Sequence, residues 1–220
     1  MPMSFFKKCD GIDVPSRVLH ITPHLGGGVG SSILAFLSDR TGGKSGYRHS
    51  VLSLEKSRTR LFCEGIRSNG VNVLEAPSRQ RSVAELVRAD IVQLEWWNHP
   101  LMFAILSRLP DLDMRLLLRP HVNGQTFPAI PRSLIDAVDA IAMTGRALPD
   151  YMENARSSIP IRWIPSVVDL SQFPLRRSRM NGGFVGGYCG TFDYCKMHPD
   201  YLSYLDKALH LFDEFWFVGD

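Results

Sequence analysis

The chain has 220 residues, 45% of them hydrophobic and 21% charged, a balance that excludes a disordered protein and predicts a folded core. Its formal net charge of +3, from 25 basic and 22 acidic residues, is too small to indicate nucleic acid as a partner. The four cysteines form no CxxC pair, and no apolar run has the length of a signal peptide or a membrane span, so we expect a cytoplasmic protein without a disulfide framework or a zinc site.

Short apolar runs alternate with helix-like stretches along most of the chain. The predicted strands are residues 17–22, 47–54, 71–75, 90–95, 114–119 and 140–144, and the predicted helices are residues 31–38, 59–68, 83–88, 101–108, 133–138 and 147–155. The alternation indicates βαβ units, and hence an α/β fold with a doubly wound, Rossmann-like parallel sheet. Ligands of such sheets bind beyond the carboxyl ends of the strands, so we look for the site in the segments that follow them.

The first of these segments is glycine-rich, HLGGGVGSS at residues 24–32. Its glycines permit a close backbone approach to a ligand, and the N-terminus of the following helix favours an anion. A Walker A loop is excluded because Ser31 stands where a lysine is needed. A ligand-binding loop and a tight structural turn remain as alternatives, and Gly26, Gly28 and Glu55 also match a dinucleotide fingerprint loosely.

Histidine and aromatic residues follow two later strands. His121 comes directly after strand 114–119, so its imidazole is predicted to face the crevice, although a histidine there can also serve as a hydrogen-bonding group of the loop. Trp96 and Trp97 follow strand 90–95 and either stack on a sugar or fill the core.

Near its end the chain repeats the pattern. After a polar, basic stretch, residues 184–190 are predicted to form a strand, residues 201–211 a helix and residues 214–220 a second strand. We therefore expect an N-terminal tail at 1–15, a Rossmann-like domain with its linker at 16–175, and the first β-α-β of a second, truncated Rossmann-like domain at 183–220.

Two basic clusters each have two interpretations. Arg176, Arg177 and Arg179 form one cluster, and Arg79 and Arg81 form the other. Each is either a solvated loop or a peripheral contact with a membrane, which would be the inner membrane surface for a cytoplasmic protein.

The segment IRWIPSVVDLSQF at residues 161–173 resembles the linker element I-P-N-G-V-D-x-x-x-F of the group 1 glycosyltransferases. The matching residues are Ile164, Pro165, Val168, Asp169 and Phe173. The following GYCGTFDYCKMHPDYLSYLDKAL resembles the opening of the second domain in that family, and EFWFVGD resembles its next strand. Gly187, Gly190 and Lys196 match there.

The resemblance implies a retaining enzyme of the GT-B fold, built from two Rossmann-like domains. Such an enzyme transfers a sugar from a nucleotide sugar to a saccharide or lipid-linked acceptor, here in cell-surface glycan biosynthesis, and needs neither metal nor cofactor. Residues 16–175 would be its acceptor-side domain, and residues 183–220 the beginning of its donor-binding domain.

The resemblance also implies roles for individual residues. His121 would be the catalytic histidine of the cleft, which contacts the transferred sugar. The donor and its phosphates would contact Gly27, Gly28, Gly190 and Lys196, and the acceptor would contact Trp96, Trp97, Asn98 and Asn123. Because Lys196 carries a fixed charge, it would stabilise the diphosphate as the glycosidic bond breaks.

Several positions depart from the family pattern. Thr191 stands where the family has a diphosphate-binding arginine, so a bidentate phosphate contact is lost. Ser166, Val167 and Met197 also replace typical residues. The paired acids that hold the donor would fall beyond Asp220, so we expect the 220 residues alone to be poorly active.

Two other functions remain open. A Rossmann-type methyltransferase would use GGGVG to bind S-adenosylmethionine and Glu55 to bind its ribose. A non-catalytic remnant would only bind a glycan or a partner enzyme, and Thr191 is the residue that favours this second alternative.

Overall fold

A computed structural model gives the fold of the chain in two compact units, Met1–Leu170 and Ser171–Asp220. The residues that the structure describes are 16–38, 46–108, 114–122, 124, 128–146, 152, 159–170, 183–190 and 198–219. The first unit is called unit 1 below, and the second unit 2.

Unit 1 is built around a parallel sheet of seven strands. The strands are β1 (Ser16–Thr22), β2 (Tyr47–Ser53), β3 (Asn72–Glu75), β4 (Ile91–Trp96), β5 (Arg115–Pro120), β6 (Ala140–Met143) and β7 (Ile161–Trp163). The described helices are α1 (Gly27–Ser38), α2 (Leu61–Ser68), α3 (Arg79–Arg88), α4 (Pro100–Leu106) and α5 (Arg132–Asp136). The predicted α/β class with a doubly wound, Rossmann-like sheet is confirmed.

The strand order of the sheet is β3-β2-β1-β4-β5-β6-β7. The chain therefore runs outward from β1 to one edge and then returns to β4, on the other side of β1. In doubly wound sheets such a reversal marks the crevice where ligands bind, here at the carboxyl ends of β1 and β4.

The two faces of the sheet differ in chemistry. One face is apolar and packs on α3, α4 and α5 through one cluster, which includes Leu19, Ile21, Leu86, Val92, Leu94, Trp96, Met102, Leu118, Leu134 and Ile135. On the other face Val51 and Val73 pack on α1 and α2. The central strands carry polar residues on that second face, with His20 beside Gln93 and Glu95 beside Arg119.

Two glycines let α1 and α2 approach closely. A Cβ atom on Gly30 would lie 2.8 Å from Cδ2 of Phe62, and one on Gly65 would lie 3.0 Å from Cδ2 of Leu34. Packing therefore requires a glycine at position 30. At this one position of the glycine-rich segment, a structural role explains the glycine.

Some predicted bounds were wrong. The first helix begins at Gly27 rather than at residue 31, and α3 begins at Arg79 because Ser78 caps it, with its Oγ accepting from the Arg81 N–H. The segment predicted as a linker contributes β7, which pairs with β6 and widens the sheet. The predicted helix 147–155 lies outside the described residues except for Met152.

Unit 2 contains strand, helix and strand in the predicted order. These are β8 (Val185–Cys189), α6 (Tyr201–Ala208) with a following 3-10 turn (Leu209–Leu211), and β9 (Glu214–Val218). The two strands pair in parallel, as a βαβ unit requires. None of the residues of α6 is buried.

Candidate functional site

The candidate site of unit 1 lies where β1, β4 and β5 end. The loop from β1 to α1, the segment after β4 and His121 after β5 all begin at this edge of the sheet. The backbone N–H of His121 donates to the carbonyl of Trp96 at 2.8 Å, so His121 stays alongside the end of β4.

The glycine turn between β1 and α1 is held by side-chain hydrogen bonds. The hydroxyl of Thr22 donates to the carbonyl of His24 at 3.0 Å, and the N–H of Leu25 donates to Oγ of Ser57 at 2.8 Å. Gly27 has a φ of +53°, in the left-handed region that favours glycine. Gly28 is exposed, and a Cβ there would meet nothing within 4 Å, so packing does not require a glycine at this position.

Three rings meet beside this turn. The centroid of the His24 ring lies 5.1 Å from that of Trp97, which in turn lies 4.9 Å from that of His99. Between these two residues Asn98 has a φ of +64°, which turns the chain toward α4. Burial lowers the pKa of His24, and Glu55 only partly opposes that shift, so its imidazole is neutral at neutral pH.

His99 caps α4 and approaches the end of β2. Its Nδ1 accepts from the Leu101 N–H at 3.3 Å, so a neutral ring carries its proton on Nε2. That nitrogen lies 3.9 Å from Oε1 of Glu55. This role was not predicted, because histidine is not a typical capping residue.

A buried carboxylate lies beneath the crevice. The side chain of Glu95 is 1% exposed, and its Oε2 lies 2.7 Å from Nε2 of His121. Its Oε1 lies 3.2 Å from Nδ1 of His20 and 2.6 Å from Nε2 of Gln93. Nε of Arg119 is 4.0 Å from Oε2, close enough for electrostatic attraction but too far for a hydrogen bond.

The electrostatics of this network favour an ionised carboxylate. Burial by itself would raise the pKa of Glu95, but hydrogen bonds from His121 and His20 lower it to about 2. His20 also contacts His49, with 3.0 Å between Nε2 and Nδ1. Burial and the neighbouring His20 lower the pKa of His49 to about 4, so this ring is neutral near pH 7.

No protein-family model and no curated protein matches the sequence. The fold is similar to the crystal structure of a glycosyltransferase from Rickettsia africae ESF-5, with a TM-score of 0.52 and 10% sequence identity. The match covers 93% of this chain and 68% of that chain. At this identity the similarity concerns the fold, and it extends beyond unit 1, which ends at Leu170.

The structure places five of the predicted site residues at one edge of the sheet of unit 1. Gly27 and Gly28 begin α1, Trp97 and Asn98 follow β4, and His121 follows β5. These residues therefore come from three neighbouring strands of the sheet.

The acceptor-binding role predicted for Trp96 is corrected. Its side chain is 0% exposed and belongs to the apolar core, on the sheet face opposite to that of Glu95. Because successive residues of a strand point to opposite faces, Trp96 and Glu95 cannot both face the crevice. Core filling is thus the correct one of its two interpretations.

The remaining predicted residues belong to unit 2 or lie outside the described residues. Gly190 follows β8, and its N–H donates to the carbonyl of Val218 at 2.9 Å. Asn123, Thr191, Lys196 and the cluster from Arg176 to Arg179 lie outside the described residues. Arg79 and Arg81 lie in the first turn of α3, not in a loop.

Two further findings concern the described residues alone. They contain no group of three or more His, Cys, Asp or Glu side chains that fits a metal ion. Among them there is also no helix with the length and apolarity needed to cross a membrane.

Proposed function

We propose that this protein is a nucleotide-sugar-dependent glycosyltransferase of the GT-B type, with the retaining chemistry of the group 1 family. The observation that supports this most is the pairing, at the switch point of the sheet, of an exposed glycine turn with a histidine bonded to a buried carboxylate. Packing does not require a glycine at position 28. A ligand that approaches the backbone closely would require one, because glycine has no side chain.

The proposed roles follow from the positions of these residues. The N-terminus of α1 at Gly27 and Gly28 would face the negative charge of the donor. His121 would bind the transferred sugar, and Trp97 and Asn98 would contact a saccharide or lipid-linked acceptor. Aromatic rings such as that of Trp97 present an apolar face on which a sugar can pack.

No protein nucleophile is part of the proposal. Glu95 is the carboxylate bonded to His121, yet it is 1% exposed and both of its oxygens accept hydrogen bonds. A carboxylate buried in this way does not reach a sugar carbon. Its burial therefore fits front-face substitution, in which the acceptor attacks the sugar from the same face that the diphosphate leaves. Neither a metal nor a cofactor is invoked for this step.

The similarity of fold supports the same class of enzyme. The glycosyltransferase from Rickettsia africae ESF-5 has a similar fold, and the match covers 93% of this chain, more than unit 1 alone provides. A methyltransferase built on a single Rossmann-like domain would leave unit 2 unexplained.

One observation favours the methyltransferase as a second candidate. Glu55 lies two residues after β2, at the carboxyl edge of the sheet, with its side chain 46% exposed. An acid at this position of a Rossmann-like sheet binds the ribose of a nucleotide cofactor.

Thermal unfolding of the full chain with a panel of ligands separates the candidates. The panel contains uridine, guanosine and adenosine diphosphate sugars, the free diphosphates, and S-adenosylmethionine. A ligand at about 100 times its Kd adds about 2.7 kcal/mol to the free energy of unfolding, so the correct nucleotide sugar should raise the Tm clearly. Stabilisation by S-adenosylmethionine alone would favour the second candidate, and no response to any nucleotide sugar would overturn the first.

A further inference from the structure

Glu95 is the only carboxylate of the described residues that is hydrogen-bonded to His121. Isolated buried charges cost several kcal/mol, and well-packed apolar residues often replace a buried ion network without loss of stability. The stability of the native sheet by itself therefore does not call for a carboxylate at its centre. Its partners indicate what it does for the crevice.

The contacts of Glu95 determine which ring nitrogens of His121 and His20 carry protons. An ionised carboxylate only accepts hydrogen bonds, so Nε2 of His121 and Nδ1 of His20 must both donate to Glu95. The other ring nitrogen of His20, Nε2, lies 3.0 Å from Nδ1 of His49. His121 and His20 thus both point an N–H group toward the carboxylate of Glu95.

The bond to Glu95 also determines which ring nitrogen His121 can offer to a ligand. The His121 side chain is 9% exposed, and Glu95 occupies its Nε2, so Nδ1 is the ring nitrogen that remains for a ligand among the described contacts. In a neutral imidazole this nitrogen has a lone pair and accepts a hydrogen bond. A hydroxyl can donate to it, whereas an ionised phosphate oxygen, which has no proton to give, cannot.

We propose that Glu95 is a positioning residue, which holds His121 in the Nε2–H tautomer so that Nδ1 accepts a hydrogen bond from a hydroxyl group of the sugar. The identity of the sugar as ligand rests on the function proposed above. The assignment of the tautomer to Glu95 rests on the contacts alone. His121 thereby binds a hydroxyl rather than a phosphate, and other groups of the protein bind the phosphates.

Nuclear magnetic resonance of the full, uniformly 15N-labelled chain tests the first part directly. Long-range 1H–15N correlations distinguish Nε2–H from Nδ1–H histidines, and loss of one signal in a His121→Asn variant assigns the residue among the seven histidines. Near neutral pH we expect His121 as a single Nε2–H tautomer. A His121 found as the Nδ1–H form, as a mixture or as the doubly protonated ring in the wild-type chain would overturn the proposal.

Two variants test whether Glu95 is the cause. In Glu95→Gln the amide can donate to His121 as well as accept, so we expect both tautomers of His121 in comparable amounts. Glu55→Gln is the matched control, because Glu55 also approaches a crevice histidine but lies 3.9 Å from His99 and contacts a different ring. An unchanged tautomer of His121 in a folded Glu95→Gln chain would argue against Glu95, and the wild-type spectrum decides the first part even where that variant does not fold.

Donor analogues test the hydroxyl. Replacing each sugar hydroxyl in turn by fluorine, which accepts but does not donate, should weaken wild-type binding about three- to tenfold at one position. That loss should shrink in the Glu95→Gln variant. Equal affinity for every analogue would overturn the role of Nδ1, whereas a single tautomer without binding of any nucleotide sugar would leave Glu95 its role and overturn the proposed function instead.

Discussion

Gly28 allows ligand binding and stability to be separated within one residue. A Cβ there meets no atom within 4 Å, and alanine favours a helix over glycine by up to about 1 kcal/mol. We therefore expect Gly28→Ala to raise the free energy of unfolding without ligand by a few tenths of a kcal/mol to about 1 kcal/mol, and to weaken nucleotide-sugar binding at least about tenfold. Urea unfolding measures the first effect and ligand titration the second.

A matched control for this prediction lies elsewhere in unit 1. Gly145 follows β6, and a Cβ there also meets nothing within 4 Å. Because β6 is separated from β1 by β4 and β5, Gly145→Ala should leave donor binding unchanged. A Gly28→Ala variant that bound donor as tightly as the wild type would remove the strongest support for the glycine turn as a ligand site.

The buried network predicts a loss of stability in acid. The pKa of His49 falls to about 4 in the folded state from an ordinary value of 6.5, so below pH 6.5 the unfolded chain binds this proton first and stability decreases. The pKa of Glu95 is lowered from 4.5 to about 2, so its contribution is complete above pH 4.5 and disappears as the pH falls toward 2. Both pKa values are lowered in the folded state, so both groups make the chain less stable as the pH falls.

Urea unfolding as a function of pH checks this. We expect His49→Gln to flatten the decrease between pH 6.5 and 4, with a remaining slope from His24, whose pKa is also lowered by burial. His210→Gln removes an exposed histidine of unit 2 and should leave the profile of unit 1 unchanged. A His49→Gln profile that superimposes on the wild type would show that the His49–His20 contact does not control acid stability.

The positions of single residues in the fold could be predicted from the sequence to different extents. His121 was predicted to face the crevice because it directly follows a buried strand, and the structure places it after β5 with its Nε2 hydrogen-bonded to Glu95. Trp96 and Trp97 were ambiguous, since neighbouring residues point to opposite faces and the sequence does not say where the strand ends. His20 and Glu95 were missed as a pair because only the pairing of β1 with β4 brings them together, yet two polar residues in otherwise apolar strands were a usable signal.

At the scale of elements, the contact between α1 and α2 depends on Gly30. Its Cβ would lie 2.8 Å from the Phe62 ring and 2.9 Å from the backbone of Leu25, which cannot give way easily. We expect Gly30→Ala to lower the free energy of unfolding by about 1 to 3 kcal/mol, the usual cost of overpacking. Gly28→Ala, two residues earlier in the same helix, is the control with the opposite sign, and a Gly30→Ala chain as stable as the wild type would contradict the packing.

Helix starts were the least predictable elements. The apolar periodicity that marks a helix begins at Val83, so the polar first turn of α3 was not predicted, although Ser78 as its cap was visible in the sequence. For α1, glycines disfavour a helix by propensity, and it is the packing on α2 that stabilises the first turn. Tertiary contacts of this kind are not encoded within a short window of sequence.

At the scale of the molecule, the two units differ in how well their elements are covered. Strands β1, β4 and β5 are buried, whereas α6 has no buried residue and Trp216, Phe217 and Val218 of β9 are half exposed. A sheet of two strands with little covered surface opens easily. We expect amide hydrogen exchange in β8, α6 and β9 to be faster than in β1 and β4 by at least about a hundredfold.

Hydrogen exchange followed by mass spectrometry measures both units in one sample of the full chain. Peptides from β3, which is the edge strand of the sheet in unit 1, and from β2 beside it provide an internal control for strands of intermediate protection. Equal protection of β8 and β1 would mean that other parts of the protein cover the surfaces of unit 2, and would contradict the prediction.

The class of fold was predictable because buried parallel strands are nearly continuous apolar runs, and six of them alternate with helices. The order of the strands was not, since it depends on which strand edges pair after the chain has folded. The seventh strand, Ile161–Trp163, is three residues long and was assigned to a linker, because so short a run has no periodicity to identify it.

The carboxylate of Glu95 also bears on how the chain avoids misfolding. Parallel apolar strands such as β4 and β5 can pair in shifted alignments at small cost, because one aliphatic side chain replaces another. A shift of β4 by one residue would turn Glu95 into the apolar face, away from His20 and Arg119, and leave an unpaired charge there at a cost of several kcal/mol. The residue that orients the crevice histidine would thus also make incorrect alignments of the central strand unstable, so that a mutation at this position should lower the yield of correctly folded protein as well as its activity.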